Sequence, residues 1–99
     1  VWFPIDIENT YTSSFAIPVI TRDIEHKKEL IEHLRLNMIA CRPLISGSMG
    51  TQPFYIKKYG INKLPNCTVI DERGLYVPNH DKLTKEEINR ICNIILRYA

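Results

Sequence analysis

Apolar and polar positions change their spacing several times along the chain, and each change marks an element. Ser13 to Thr21 reads SSFAIPVIT, a crowd of apolar and β-branched residues of the kind that forms a strand. Pro18 removes one ladder donor from that run, so the strand is expected at a sheet edge or at a bulge. Arg22 and Asp23 close it, and Asp23 is suited to cap a helix. From Ile24 to Met38 the period turns helical. Leu30, Ile31 and Leu34 share one side, while Glu25, Lys27, Lys28, Glu29, Glu32 and Arg35 cover the other. Ile39 to Ser46, IACRPLIS, returns to strand character. Strand, helix and strand with short joints predict a β-α-β unit within a two-layer domain.

The second half is punctuated more heavily. Gln52 to Tyr59 fits one or two helical turns, with Pro53 placed for a first helical position. Gly60, Asn62 and Pro65 read as breakers in a connection from Gly60 to Asn66. Thr68 to Arg73 follows as a short helix stopped by Gly74, then a short strand, Leu75 to Val77. Thr84-Lys85-Glu86-Glu87 is a capping box, and behind it Ile88, Ile91, Cys92, Ile95 and Leu96 form one apolar stripe. The irregular stretch from Val1 to Thr12 reads as a lead-in.

Composition narrows this picture. The chain has 99 residues, 44% hydrophobic and 24% charged, which suits one globular domain. With a net charge of +2 and Lys and Arg matched along the chain by Asp and Glu, neither a nucleic-acid surface nor a polybasic membrane surface is expected. No apolar run reaches membrane-spanning length. The N-terminus has neither a basic leader nor a signal core and starts mid-pattern, as a piece of a longer chain would. Cys41, Cys67 and Cys92 are too few and too far apart for a disulfide framework or a metal set. They read as small buried hydrophobes in a reducing, cytoplasmic setting. In that setting the glycosylation pattern Asn66-Cys67-Thr68 is idle.

The candidate chemistry centres on RPLISGSMGTQPF, Arg42 to Phe54. Its run of small residues lets backbone approach a ligand, although the glycine spacing is neither a P-loop nor a dinucleotide fingerprint. Arg42 stands before the loop with a guanidinium able to grip a phosphate or carboxylate at two points. Phe54 and Tyr55 follow, read as core. His26 and His33 lack zinc spacing and an HExxH context, and read as solvated helix surface. His80 lies at the exit of a strand, where side chains meet ligands as often as they serve structure. No nucleophile and base are set side by side.

Two segments carry a family resemblance. RPLISGSMGTQPFY, followed by ERGLYVPNHDKLTKEEINRICNII, resembles the C-terminal domain of sugar aminotransferases of the DegT/DnrJ/StrS type. Glu72, Arg73, Leu75, Val77, Pro78, His80, Leu83, Thr84, Glu86 and Glu87 fall into register with that family's ERxLxLPxHxxLTxEE-like ending. The earlier SSFAIPVITRDIEHKKELIEHLRLNMI fits the family's strand and its helix ending near an x-G-I turn. Two departures stand out. Gly50 occupies the place of a His found in many members, and Asp81 replaces a common Pro. The spacing from Gly47 to Pro53 is instead similar to the G-N-L-x-x-Q-P loop of a sister group, pyridoxamine-dependent dehydrases that remove a sugar hydroxyl.

The resemblance implies an α+β fold: a small two-layer domain with a short, mostly antiparallel sheet covered by helices, as in type I pyridoxal-phosphate enzymes. It implies residues 1–12 as the lead-in from a large cofactor-binding domain and residues 13–99 as the small domain of a dimeric enzyme. The substrate is a nucleotide-linked keto-sugar, as in surface-polysaccharide synthesis. The cofactor is PLP or PMP, held mainly by the large domain, with no catalytic residue in this chain. Arg42, Ser46, Ser48, Gln52 and His80 are the expected substrate contacts. The chain alone is expected to be inactive. Without the resemblance, the same layout suits a stand-alone module that binds a small ligand or a partner chain.

Overall fold

A computed structural model describes residues 7–98. Residues 1–6 of the expected lead-in, and Ala99, lie outside the described residues. The elements run β1 (Ala16–Ile20), α1 (Ile24–Leu36), β2 (Arg42–Pro43), a 3₁₀ turn (Met49–Thr51), α2 (Pro53–Tyr59), α3 (Pro65–Arg73), β3 (Gly74–Pro78) and α4 (Lys85–Arg97). The result is the expected α+β layering, with a three-stranded sheet ordered β1-β3-β2.

The β-α-β expectation needs correction. β1 and β2 do not pair with each other; each runs antiparallel to β3, which lies between them. The pattern of residues 13–46 predicts the element types correctly, but the partner strand comes thirty residues later, where local periodicity carries no pairing information. Pro18 does sit on an edge strand, opposite Tyr76. β2 is also shorter than the expected 39–46. Pro43 has no N–H to donate, and Ser46, with φ at +65°, turns the chain away from the sheet.

Val19 and Leu75 face each other across the ladder, as do Ile17 and Val77. Val19, Leu75 and Val77 join Leu30 and Leu34 of α1 and Ile91, Ile94 and Ile95 of α4 in one core. Each such side chain contributes about 1.5–3 kcal/mol by leaving water. Three expectations fail at this core. His26 is no solvated surface residue: only 6% exposed, it continues the inward face of Leu30 and Leu34 at four-residue spacing. His33 is half-buried and stacks on Tyr98 at 4.4 Å, joining α1 to α4. The single stripe on α4 is really two. Ile91, Ile94 and Ile95 point inward, while Ile88, Cys92 and Leu96 remain exposed along its flank.

Caps define the helix ends. Asp23 accepts from the His26 N–H at 2.8 Å, and the Thr84–Glu87 capping box closes both ways at 3.2 and 2.8 Å. α1 stops two residues earlier than expected. Ile39 N–H donates to Leu34 O and Met38 N–H to Arg35 O, both at 2.9 Å, with Met38 at φ +55°. This is a Schellman ending with Met where Gly is usual. Pro65, expected as a breaker, is instead the first residue of α3 behind Leu64, a position that needs no N–H.

Candidate functional site

The loop after β2 is a built turn. Gly47 N–H donates to Leu44 O at 3.2 Å, and the Gln52 side-chain amide donates to Ser46 O at 2.7 Å. Ser48 O accepts from both the backbone and the hydroxyl of Thr51, at 3.2 and 3.0 Å. Gly47 and Gly50 serve close internal packing. A side chain on Gly47 would overlap the Asp71 carboxylate, and one on Gly50 would overlap the Asn62 backbone. Asn62 N–H also donates to Gly50 O at 3.0 Å.

α3 is tied to α1 and to the joint that precedes it. Lys27 Nζ donates to Asp71 O at 3.1 Å, Thr21 N–H to Arg73 O at 3.1 Å, and the Arg73 guanidinium to Arg22 O at 2.9 Å. The backbone of the loop at Gly47 thus passes close beside the Asp71 side chain of α3.

The expected contact residues divide into two places. Arg42, Ser46 and Gln52 lie at the loop, with Arg42 and Ser46 exposed. Arg42 takes part in neither ion pair found among the described residues, Arg22–Asp23 and Lys28–Glu25. Ser48 is only 3% exposed, so its side chain is withdrawn from solvent. His80 lies beyond the opposite end of β3, because β2 and β3 are antiparallel with Arg42 opposite Tyr76. There it borders a small pocket of about 260 Å³ with Met38, Ala40 and Arg90, and its Nδ1 accepts from Lys82 N–H at 3.3 Å. The structure brings Ser46 and Gln52 into contact and keeps His80 apart from them.

Two further features were not anticipated. Ile17, Val77, Leu83, Ile88, Cys92 and Leu96 line part of an open apolar groove of about 440 Å³. Cys92 is thus exposed rather than buried, and Cys41 and Cys67 are half-buried. The other unanticipated feature is electrostatic and lies in the order of charges along the chain. Charges balance over the whole chain but not along it: from His33 to Ile70 there is no Asp or Glu, against Arg35, Arg42, Lys57, Lys58 and Lys63. The other eight Lys and Arg face eleven carboxylates. Net charge hid this asymmetry; the long gap between Glu32 and Asp71 is the signal that reveals it.

Among the described residues no group of three or more His, Cys, Asp or Glu could hold a metal ion, and no helix is long and apolar enough to cross a membrane. The lysines are exposed except for half-buried Lys27, whose ammonium is engaged by Asp71 O. None has the desolvated pocket that a cofactor-bonding lysine uses. No lysine among the described residues is therefore set to bond pyridoxal phosphate.

A small three-stranded antiparallel sheet with helices packed on it and a turn-rich loop at one end defines a small α+β fold. Residues 4–96 match the DegT/DnrJ/EryC1/StrS aminotransferase family, and the chain belongs to it. It is 31% identical over 90 residues to GDP-perosamine synthase of Escherichia coli O157:H7, covering 91% of this chain and 23% of that protein. It is 28% identical over 72 residues to GDP-4-keto-6-deoxy-D-mannose 3-dehydratase of Escherichia coli O55:H7, covering 70% and 19%. The solved E. coli GDP-4-keto-6-deoxy-D-mannose-3-dehydratase with bound hydrated PLP superposes with a TM-score of 0.74 at 24% identity, over 94% of this chain and 25% of that one. The chain thus spans about a quarter of the length of the relatives it matches.

Proposed function

We propose that this domain serves a PLP-dependent aminotransferase acting on nucleotide-linked keto-sugars, and that the loop from Arg42 to Gln52 forms one wall of its substrate cleft. The observation that carries the reading is the similarity to GDP-perosamine synthase along 91% of the chain. The cofactor, PLP or PMP, supplies the electron sink and is held by a larger domain and a dimer mate; no step through it is assigned to this chain. The part played here is recognition. Arg42, exposed at the mouth of the loop, offers a bidentate grip on the substrate, with Ser46 and Gln52 beside it and Ser48 shaping the turn. His80 contacts substrate only if the cleft extends along β3 to its far end.

The open apolar groove along α4 fits packing against that larger domain, since relatives carry three-quarters of their length elsewhere. The setting is cytoplasmic. A second reading, PMP-dependent removal of a sugar hydroxyl, is favoured by the similarity to GDP-4-keto-6-deoxy-D-mannose 3-dehydratase and by the spacing from Gly47 to Pro53.

The experiment that separates them is borohydride reduction of the full-length protein loaded with PLP, followed by mass spectrometry. Cofactor fixed to one lysine supports the aminotransferase. Cofactor that binds and is not trapped supports the dehydratase. A protein that binds no cofactor overturns both, and a module binding a small ligand or partner takes their place.

A further inference from the structure

Residues 50–62 form a closed lobe. Asn62 N–H donates to Gly50 O at 3.0 Å, so the 3₁₀ turn and α2 loop out and return to the same point. α2 buries none of its residues. Phe54 and Tyr59 are each 64% exposed, Tyr55 packs on Tyr59 with ring centroids 5.0 Å apart, and Lys58 Nζ sits 5.1 Å from the Tyr59 ring centroid. Lys57, Lys58 and the adjoining Lys63 are exposed, and neither ion pair of the described residues involves them. The lobe lies within the long stretch that contains no carboxylate. Nothing in its own sequence neutralises it.

We propose that this lobe is a nucleoside-diphosphate docking surface, with Lys57, Lys58 and Lys63 meeting the phosphates and Tyr59 or Phe54 stacking on the base. Uncompensated lysines raise the local concentration of a polyanion, and exposed rings offer a face to any nucleobase. A nucleoside diphosphate carries both features within the span of a short helix. The assignment rests on the nucleotide-sugar reading and names the part of this chain that would hold the nucleotide end.

The test is calorimetric titration of the full-length protein with GDP and, separately, with inorganic pyrophosphate, at low and high salt. Wild type is expected to bind both, more weakly as salt rises. K57Q/K58Q/K63Q should weaken both at least tenfold, and K57R/K58R/K63R should retain them. Tyr59→Leu should weaken GDP and leave pyrophosphate unchanged. Absence of binding to wild type overturns the proposal. So does unchanged affinity in the Gln variant with a lowered melting temperature, which assigns the lysines to the carbonyl end of α2 instead. A single-stranded oligonucleotide that outcompetes GDP and loses affinity in the same variant also overturns it, as a nucleic-acid surface. Failure to bind the cofactor would remove the enzymatic reading, whereas nucleotide affinity is measured independently of the cofactor.

Discussion

Gly47 sits directly against the carboxylate of Asp71, and the backbone of Asp71 is held by Lys27 of α1. A loop that reads as loosely connective in sequence therefore runs its backbone close against the end of α3. The glycine supplies two things at once: a φ of +53° and the absence of a Cβ where Asp71 lies.

Gly47→Ala should cost about 1–2 kcal/mol, the left-handed backbone penalty, because the exposed Asp71 carboxylate can rotate away from the added methyl. Adding Asp71→Ala should therefore leave that cost nearly unchanged. Urea denaturation of the single and double variants checks this. An unshifted midpoint for Gly47→Ala would show that Gly47 does not hold its left-handed conformation in solution.

Met38→Gly should stabilise the protein by about 0.5–1 kcal/mol. Met38 adopts φ +55° at the Schellman ending of α1 and is 88% exposed, so glycine relieves backbone strain without removing packing. The gain is net of the extra freedom glycine has in the unfolded chain. Thermal melts decide; a lower melting temperature would mean that the Met38 side chain packs in solution.

How much of this is legible in sequence follows from which signals are local. The helix of Leu30 and Leu34 and the Thr84 capping box are visible because period and caps are encoded within a turn or two. The insertion of β3 between β1 and β2 is not, because pairing is decided by packing across the whole chain. His26 misleads because a polar residue at a core-facing helical position looks like surface until the third dimension is known. The loop residues Arg42, Ser46 and Gln52 stand out by composition, yet the groups packed beside Gly47 and Gly50, Asp71 and Asn62, lie too far along the chain for any motif to include. The lysine lobe is legible in principle, through the missing carboxylates, and is masked by averaging the charge.

The Asp23 carboxyl is held below its ordinary value of 3.8 by the His26 backbone N–H and by the Arg22 side chain. A carboxyl depressed on folding contributes stability above its unfolded value, and that contribution is lost as the pH falls through the folded value. The contribution should therefore be complete near neutrality and decline progressively below 3.8. Asp23→Asn keeps the cap and removes the titration. The stability difference between wild type and this variant should be constant near neutrality and shrink in acid; a difference that is flat down to the acid transition would refute the linkage.

Arg42→Ala should weaken binding of a nucleotide-linked sugar by tenfold or more, the loss of a charged hydrogen bond being worth about 1.5–3 kcal/mol. Its exposed position on β2 means that the melting temperature should stay where it is. Affinity and melting are measured on the same preparation. Unaltered affinity with a lower melting temperature would make Arg42 a structural residue and remove it from the cleft.

The cysteines report on the apolar groove. Cys92 is exposed on the groove wall, whereas desolvation by burial raises the pKa of the half-buried Cys41 thiol above its ordinary value. Since the thiolate is the reactive form, a brief iodoacetamide pulse near neutral pH should label Cys92 well before Cys41. Peptide mapping by mass spectrometry gives the order, and faster labelling at Cys41 would contradict the packing described. The same pulse tests what covers the groove. If a larger domain packs on α4, Cys92 of the 99-residue chain should react at least tenfold faster than Cys92 of the full-length protein. Equal rates would leave the groove open in both and separate it from the domain interface.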